Sequence, residues 1–509
     1  QGNFTLKNLF LMKSQAGRPF QEFAYTLKEG LQDVEPLFCI SGFRYVLLGN
    51  WPEPVRPEAF AAVAVYSDMK QTGEFRCSNP LVNQLVANTR WSQKGNFLDI
   101  PTDCPTRERA GWTGDIAAYC ETGACLMDVR KFLAKWLKDL AAQQAPDGCV
   151  QSIVPDVLLG IGDGSAGWGD ACILVPDALY RMYGDREILR TQYDSMTRWM
   201  QFLQRRARRW SLRSLFVPRE DRAFIVDTGW HFGEWLEPGH SMILDSLKAY
   251  VWADAEVATA YYAHAAHRMA YMAAVLDKPE EAAFYNQLWE NIRRAYRRRF
   301  TRDGLVRSRR QCRYVRPIAL GLLDGEDRKR NAAILNDRVL ADGCRIGTGF
   351  LTTQFVLQVL AEAGYVETAY RMLENTARPG WLYAVTKGAT TILEDWEGIG
   401  PDGEPRNSFN HYAFGSVVRW LFQAVAGISP LEPGYRRVRI RPVPGGSLTW
   451  ADCTYDSPSG LVRSRWTWQD GRFELDVRLP VPGEVVLPDG SVRQADAGEH
   501  HFACRWSHR

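Results

Sequence analysis

No apolar run in this 509-residue chain approaches the ~20 residues that a membrane-spanning helix needs, and no basic n-region followed by an apolar h-region opens it. Charge of one sign is equally scarce. The 62 Lys and Arg stand against 59 Asp and Glu, a formal net charge of +3. A nucleic-acid-binding domain carries a strongly basic face, and this balance supplies none. The 11 cysteines are odd in number and scattered, with no Cys-x-x-Cys pair, which argues against a disulfide framework and for reduced thiols. With no leader in the sequence, a cytoplasmic setting is expected over a secreted one; a signal peptide upstream of Gln1 would reverse that. No sequence period of roughly 20–50 residues recurs, so a solenoid is not indicated.

What is present is a globular composition, 46% hydrophobic and 24% charged, close to the average for soluble domains. The length exceeds a single core, so two or three domains are expected. The 18 Trp and 20 Tyr suit a large core and carbohydrate-facing surfaces alike.

Three regimes of periodicity follow along the chain. Up to about residue 75, Glu22-Phe-Ala-Tyr-Thr-Leu, Gly42-Phe-Arg-Tyr-Val-Leu-Leu and Ala61-Ala-Val-Ala-Val-Tyr read as strands between turn residues. They predict a β-sandwich over 1–75, incomplete as it stands and exposing a sheet edge or apolar patch. From Asn79 the period becomes helical, with helices predicted near 79–97, 115–143, 169–183, 186–208, 243–276, 279–300, 327–340, 349–363, 366–376 and 412–425. So many helices with almost no strand signal fit a toroid of paired helices over 76–428. After Pro430 strict alternation returns in Arg437-Val-Arg-Ile-Arg, Ser447-Leu-Thr-Trp, Leu461-Val-Arg-Ser-Arg-Trp-Thr-Trp, Phe473-Glu-Leu-Asp-Val and Glu484-Val-Val-Leu, with Asp-Gly turns at 470–471 and 489–490. These predict a small antiparallel β-sandwich over 429–509.

Four loop-like stretches in the helical region combine carboxylates, indoles and glycines. They are Asp103-Cys-Pro-Thr-Arg-Glu-Arg-Ala-Gly-Trp-Thr-Gly-Asp115, Gly164-Ser-Ala-Gly-Trp-Gly-Asp170, Thr228-Gly-Trp-His-Phe-Gly-Glu-Trp-Leu-Glu-Pro-Gly239, and Gly388-Ala-Thr-Thr-Ile-Leu-Glu-Asp-Trp-Glu-Gly398 with Ser408-Phe-Asn-His-Tyr-Ala-Phe-Gly415 behind it. In the first, a tight turn runs into a helix start, which puts Asp115 at the positive end of a helix dipole. One such cluster is readily a packing feature or a charged cap. Four in one helical domain point to loops converging on one pocket. Carboxylates and indoles without metal-ligand spacing suit glycosidic cleavage: one acid protonates the leaving oxygen, another carboxylate acts as base or nucleophile, and aromatic faces hold the sugar.

The first stretch resembles the signature of the bacterial α-L-rhamnosidases, glycoside hydrolase family 78. Gly42-Phe-Arg-Tyr, Gly167-Trp-Gly-Asp170, Thr390-Thr-Ile-Leu-Glu-Asp-Trp396 and Asn410-His-Tyr-Ala-Phe-Gly415 are similar to further stretches of that family. The resemblance implies an (α/α)6 toroid between two β-sandwich domains and inverting hydrolysis of terminal α-L-rhamnose, with no cofactor or metal. It implies Glu108 as general acid and Glu394 as general base, with Asp103, Arg107, Trp112, Asp115, Trp168 and His411 on the sugar. Asp170, Glu234 and Trp235 join them as candidates for the same pocket. Leu393 stands where the family usually has Trp, which leaves Glu397 open as an alternative base; Glu234 stands where Asp is more usual. The implied partner is a rhamnosylated glycoside or glycan, with neither nucleic acid nor membrane involved and the oligomeric state open. Two other readings stand beside this one: an (α/α)6 hydrolase for another deoxy sugar or a uronic acid, and a carbohydrate-binding homologue without activity.

The remaining signals point to no second chemistry. Gly160-Ile-Gly-Asp-Gly-Ser-Ala-Gly has the glycine density of a phosphate loop but no βαβ unit around it. His264 and His267 have no third ligand beside them, and read as packing or surface residues. Asn3-Phe-Thr is a glycosylation sequon without a secretory context. The basic runs at 205–209 and 293–299 read as helix C-terminal caps, with contact to an acidic polymer as the functional alternative.

Overall fold

Asn79-Pro80 writes a helix start in two residues. The Asn79 side chain accepts the Leu81 N–H at 3.0 Å, and Pro80 takes the first helical position, where no N–H is required. The computed structural model describes residues 22–43, 45–157, 160, 162–239, 254–400, 403 and 406–507. Its helices are α1 (Pro80–Asn96), α2 (Thr113–Leu126), α3 (Arg130–Gln143), α4 (Ala171–Tyr183), α5 (Arg186–Ala207), α6 (Ala255–Val275) and α7 (Pro279–Phe300). They continue with α8 (Cys312–Ala319), α9 (Gly325–Ala341), α10 (Phe350–Glu362), α11 (Val366–Leu373), α12 (Trp381–Thr386) and α13 (Val418–Trp420). A 3-10 turn, Ala413–Val417, leads into α13 and a π turn, Leu421–Val425, follows it.

Composition sorts these helices into two rings. In α5 the apolar residues Ile188, Leu189, Met196, Trp199, Met200 and Leu203 recur at helical spacing on one buried stripe, while charged and polar residues such as Glu187, Arg190, Asp194, Gln201 and Arg205 lie on the opposite side. Every residue of α2 except Glu121 is buried, and small residues let neighbours approach from all sides. Helices α2, α4, α6, α8 and α10 and the 413–425 segment form the inner ring, with α2 against α4 and against 413–417, α4 against α6, and α8 and 413–417 against α10. Arg316 of α8 reaches Glu256 of α6 across the remaining step. The outer helices pair with inner ones, as α7 does with α6, and α1 meets α12 to close the outer layer. Gly184 (φ 73°) ends α4 in the left-handed region, and Asp185 at once caps α5 through the Glu187 N–H at 2.9 Å.

The predicted 115–143 helix is broken at Met127-Asp128-Val129 into α2 and α3. Of the predicted 243–276 helix, α6 is the described part, and 243–253 lie outside the described residues. The short helices α8, with Pro317 inside it, and α12 carry too few turns to register as periodicity.

The C-terminal region is a sandwich. Its strands include β1 (Gly73–Cys77), and β2 (Thr301–Arg302) and β3 (Leu305–Val306) form a separate hairpin. The others are β4 (Ile428–Glu432), β5 (Arg437–Ile440), β6 (Trp450–Ser457), β7 (Gly460–Gln469), β8 (Arg472–Leu479), β9 (Gly483–Val486), β10 (Val492–Ala495) and β11 (Gly498–Arg505). One sheet runs β1-β6-β7-β8-β11 and the other β10-β9-β5-β4. The expected all-antiparallel arrangement is corrected at one place: β5 and β9 pair in parallel. β1 pairs with β6 from Gly73↔Tyr455 to Cys77↔Ala451, so the boundary expected at residue 75 runs through a strand of the C-terminal sheet.

The strands predicted at 22–27, 42–48 and 61–66 are a second correction. The described residues of 22–68 form coil with one 3-10 turn, Pro57–Ala59, and no strand. Alternation marks where apolar side chains fall, but a strand exists only where its N–H and C=O groups meet a partner edge. Phe23, Leu31, Phe38, Tyr45 and Val63 are exposed there, so the expected apolar exposure is present without a sheet edge.

Candidate active site

The loop 103–112 is locked from within before it carries anything. Asp103 donates its N–H to the Ala110 carbonyl at 2.9 Å, and its Oδ1 accepts the Ala110 N–H at 2.8 Å. Inside the closed loop the Cys104 sulfur accepts the Glu108 N–H at 3.2 Å. Behind it, the Val154 N–H donates to the Gly111 carbonyl at 2.9 Å, and a Cβ on Gly111 would lie 2.1 Å from the Val154 carbonyl. Arg107 and Glu108 are held at the tip of this loop.

The opposing residues sit on the segment before the 413–425 helix. Glu394 donates its N–H to the Ser408 carbonyl at 3.0 Å, and His411 its own to Ile392 at 2.9 Å, so the chain doubles back on itself. Arg107 then crosses between the two loops, donating from Nη1 to Glu394 Oε2 at 2.8 Å and to Asn407 Oδ1 at 3.3 Å. Glu394 Oε2 also accepts the Ser408 N–H at 2.8 Å. Glu108 Oε2 accepts the indole N–H of Trp112 at 2.9 Å. Glu397, the alternative base, turns away: its carboxylate lies 3.5 Å from Arg406 and its side chain is 39% exposed, against 8% for Glu394. Asp395 is engaged locally, accepting the Glu397 N–H and the Asn407 amide.

Burial and like charge set the electrostatics. Burial, then the Glu394 charge, push Glu108 above the ordinary carboxylate range, with Trp112, Arg107 and His411 opposing. Burial, then Glu108, raise Asp103 to about 8. Burial pulls the His411 imidazole down, but the Asp115 carboxylate 3.0 Å from its Nε2, with Glu394 and Asp103 beyond, overrides this and holds it at about 9. The cluster is thus four carboxylates, Asp103, Glu108, Asp115 and Glu394, with two cations already bonded to carboxylates.

One wall is aromatic and centres on Phe232. Its ring meets Trp230 at 4.1 Å, Trp168 at 4.5 Å, Trp112 at 5.5 Å and Trp235 at 5.6 Å between centroids. Trp168 lies over Gly114 of α2, where an added Cβ would come within 2.5 Å of the indole. His231, buried and held neutral near 4 by burial and Arg206, accepts the Ala166 N–H at 3.0 Å and so ties the second stretch to the third. The Phe232 N–H adds a bond to Ser165 Oγ at 3.1 Å. The fourth stretch joins the first through the Arg107–Glu394 bond at 2.8 Å and the His411–Asp115 pair at 3.0 Å. The four stretches therefore meet, as expected, at the end of the toroid where the inner helices begin.

Two expected sugar contacts are placed elsewhere. Asp170 is buried, with Oδ2 accepting the Gly167 N–H at 2.6 Å and Oδ1 the Trp199 indole N–H at 3.0 Å. Glu234 caps α10: its Oε1 accepts the Gly349 and Thr352 N–H groups at 2.9 and 3.0 Å and the Thr352 hydroxyl at 2.6 Å, while Oε2 pairs with Arg316. Both carboxylates are used up internally and shape the pocket from behind. Sequence reasoning missed Phe232, Asn407 and Ser408. Phe232 and Ser408 lie inside the third and fourth stretches, where nothing in the pattern of carboxylates and indoles marks a phenyl ring or a backbone amide. His264 meets Tyr261 edge-on and His267 stacks on Trp289, and among the described residues no group of three His, Cys, Asp or Glu could hold a metal ion.

Comparison with known proteins fits this geometry. The family model described as the bacterial alpha-L-rhamnosidase 6 hairpin glycosidase domain matches residues 70–425. The chain belongs to that family. The C-terminal domain model of the bacterial alpha-L-rhamnosidases matches residues 427–502, the sandwich. An alpha-L-rhamnosidase of Streptomyces avermitilis is 38% identical over 91% of this chain and 43% of its own length. One from Formosa agariphila is 33% identical over 94% of this chain and 51% of its own. Among solved structures, the Streptomyces avermitilis alpha-L-rhamnosidase complexed with L-rhamnose superposes with a TM-score of 0.78 at 36% identity, covering 86% of this chain and 43% of that one. The Aspergillus terreus enzyme gives 0.84 at 32% identity, covering 94% of this chain and 55% of that one. The chain spans about half the length of the curated relatives it matches.

Proposed function

We propose that this chain hydrolyses terminal α-L-rhamnosides with inversion, using Glu108 as acid and Glu394 as base. The observation that carries the reading is the Arg107–Glu394 pair facing a Glu108 held by Trp112, inside an aromatic wall. Oε2 of Glu394 is occupied by Arg107 and the Ser408 amide, which leaves Oε1 to take the proton from water attacking the anomeric carbon. Oε2 of Glu108 is occupied by Trp112, so its transferable proton sits on Oε1 and passes to the departing oxygen as the glycosidic bond breaks. The upward shift of Glu108 favours the protonated form that a general acid needs. Asp103, Asp115 and His411 line the sugar's hydroxyl side.

A uronic acid fits this cluster poorly. Four carboxylates surround the space, and Arg107 and His411 are each already bonded to one of them. An acidic polymer held by the 293–299 run fares no better: Arg293, Arg297 and Arg298 pair with Asp324, Asp327, Glu220 and Asp221. The test is hydrolysis of an aryl α-L-rhamnoside followed by proton NMR of the first-formed sugar. Appearance of the opposite anomer before mutarotation supports the reading. Retained configuration rejects the inverting mechanism, and no turnover leaves the binding-protein alternative standing.

A further inference from the structure

Among the described residues, Phe232 is the one ring that touches four indoles, two from its own stretch and one each from the first and second. Its place is fixed from both sides. The Phe232 N–H is bonded to Ser165 Oγ, and Gly162 (φ 69°) passes under it so closely that an added Cβ would meet the ring at 2.7 Å. Its contact with Trp112 is edge-to-face, with an interplanar angle of 83°. The same Trp112 indole directs its N–H to Glu108 Oε2 at 2.9 Å.

We infer that Phe232 is a positioning residue for the acid, acting through Trp112 on the Glu108 carboxyl. The inference rests on the reading of Glu108 as the proton donor. With Oε2 held by the indole, the acidic proton is confined to Oε1. When it moves to the leaving oxygen and the C–O electron pair follows onto that oxygen, the carboxylate left behind keeps the indole N–H as a donor that favours its charged form. Without the ring, Trp112 tips, Oε2 loses its donor, and the carboxyl rotates away from one productive orientation. The loops carrying Trp168, Trp230 and Trp235 thereby bear on proton transfer as well as on the pocket wall.

Phe232→Leu removes the ring edge while leaving an apolar side chain, and Phe232→Tyr restores the ring. On a rhamnoside with a poor alkyl leaving group, Phe232→Leu should lower kcat roughly tenfold or more, and on a 4-nitrophenyl rhamnoside far less, because only the poor leaving group depends on full protonation. Phe232→Tyr should recover the wild-type ratio between the two substrates. Equal losses on both substrates, or a change confined to KM, would overturn the inference and make the ring a sugar-wall residue. A second readout is independent of turnover. In protein carrying 5-fluorotryptophan, the Trp112 resonance, assigned by its loss in Trp112→Phe, should follow the Glu108 titration in wild type and cease to do so in Phe232→Leu. A Trp112 signal that titrates unchanged in Phe232→Leu rejects the inference, even if wild type cleaves no rhamnoside and the functional reading fails on its own.

Discussion

Glu394 and Glu397 are near neighbours in sequence whose carboxylates meet different surroundings. Arg107 and a backbone amide converge on the first inside the cluster, while the second faces Arg406 at the surface. Glu394→Gln should lower kcat on order of a thousandfold for good and poor leaving groups alike, since water activation is lost whatever departs. Glu397→Gln should stay within a few-fold of wild type. Steady-state rates on the two rhamnosides check both, and the reverse pattern would transfer the base to Glu397. His411 gives a pH signature. Its folded value of about 9 lies above the ordinary value near 6.5, so the stabilisation from its pair with Asp115 is complete below about pH 6.5 and fades as pH rises through about 9. A shift of that size corresponds to on the order of 3 kcal/mol. Urea midpoints of wild type and His411→Asn should therefore differ most near pH 6 and converge near pH 10; a gap constant across that range would sink the assignment. The 103–115 loop was legible as a tight turn from Pro105 and its glycines, whereas the roles of Glu108, Glu394 and His411 came only from the family resemblance. The sequence does not separate the roles of Asp170 and Glu234, because a carboxylate beside an indole in a glycine-rich loop looks the same whether it faces a sugar or a helix N-terminus.

At the scale of the element, Glu234 shows what the third stretch does. Its carboxylate satisfies the orphan N–H groups at the start of α10 and pairs with Arg316, whose side chain is fully buried and shared with Glu256. Glu234→Ala should cost about 3–5 kcal/mol, because it strands a buried guanidinium and uncaps a helix together. Glu234→Gln keeps the cap and should cost less. Denaturant unfolding of the two variants measures this, and a loss below about 1 kcal/mol for Glu234→Ala would mean that the cap is dispensable. The helices themselves were readable where an amphipathic stripe runs for several turns, as in α5. The strands expected before residue 68 failed for a reason periodicity cannot register: alternation records which side chains are apolar, and pairing depends on where a partner edge lies. The same blindness hid β1, a short strand whose partner β6 lies beyond the whole helical region.

Across the whole molecule, that strand decides how the parts stand together. β1 leads directly into α1, yet it is an edge of the C-terminal sheet through β6. The sandwich grips the toroid at further points: the Trp466 indole N–H donates to the Val425 carbonyl at 2.8 Å, Ser464 Oγ to Ala426 at 2.7 Å, and the Tyr370 hydroxyl of α11 to Val443 at 2.7 Å. One continuous buried cluster runs from Phe75 and Val82 through the inner helices to Trp466 and Leu475. A sandwich that unfolded alone would strand β1, expose Phe75 and Cys77 at the base of α1, and open the carbonyls at the end of the 413–425 helix. The two layers should therefore unfold as one cooperative unit, with a single calorimetric transition in which the helical circular dichroism and the sandwich's tryptophan signal fall together. Trp466→Ala makes the test sharper. Removing this buried indole should cost about 3–5 kcal/mol. If the coupling is real, that loss lowers the midpoint of the helical signal, although the residue lies outside every helix. Two separated transitions, with the helical midpoint unmoved by Trp466→Ala, would mean that the toroid stands without its sandwich and that β1 is only a tether.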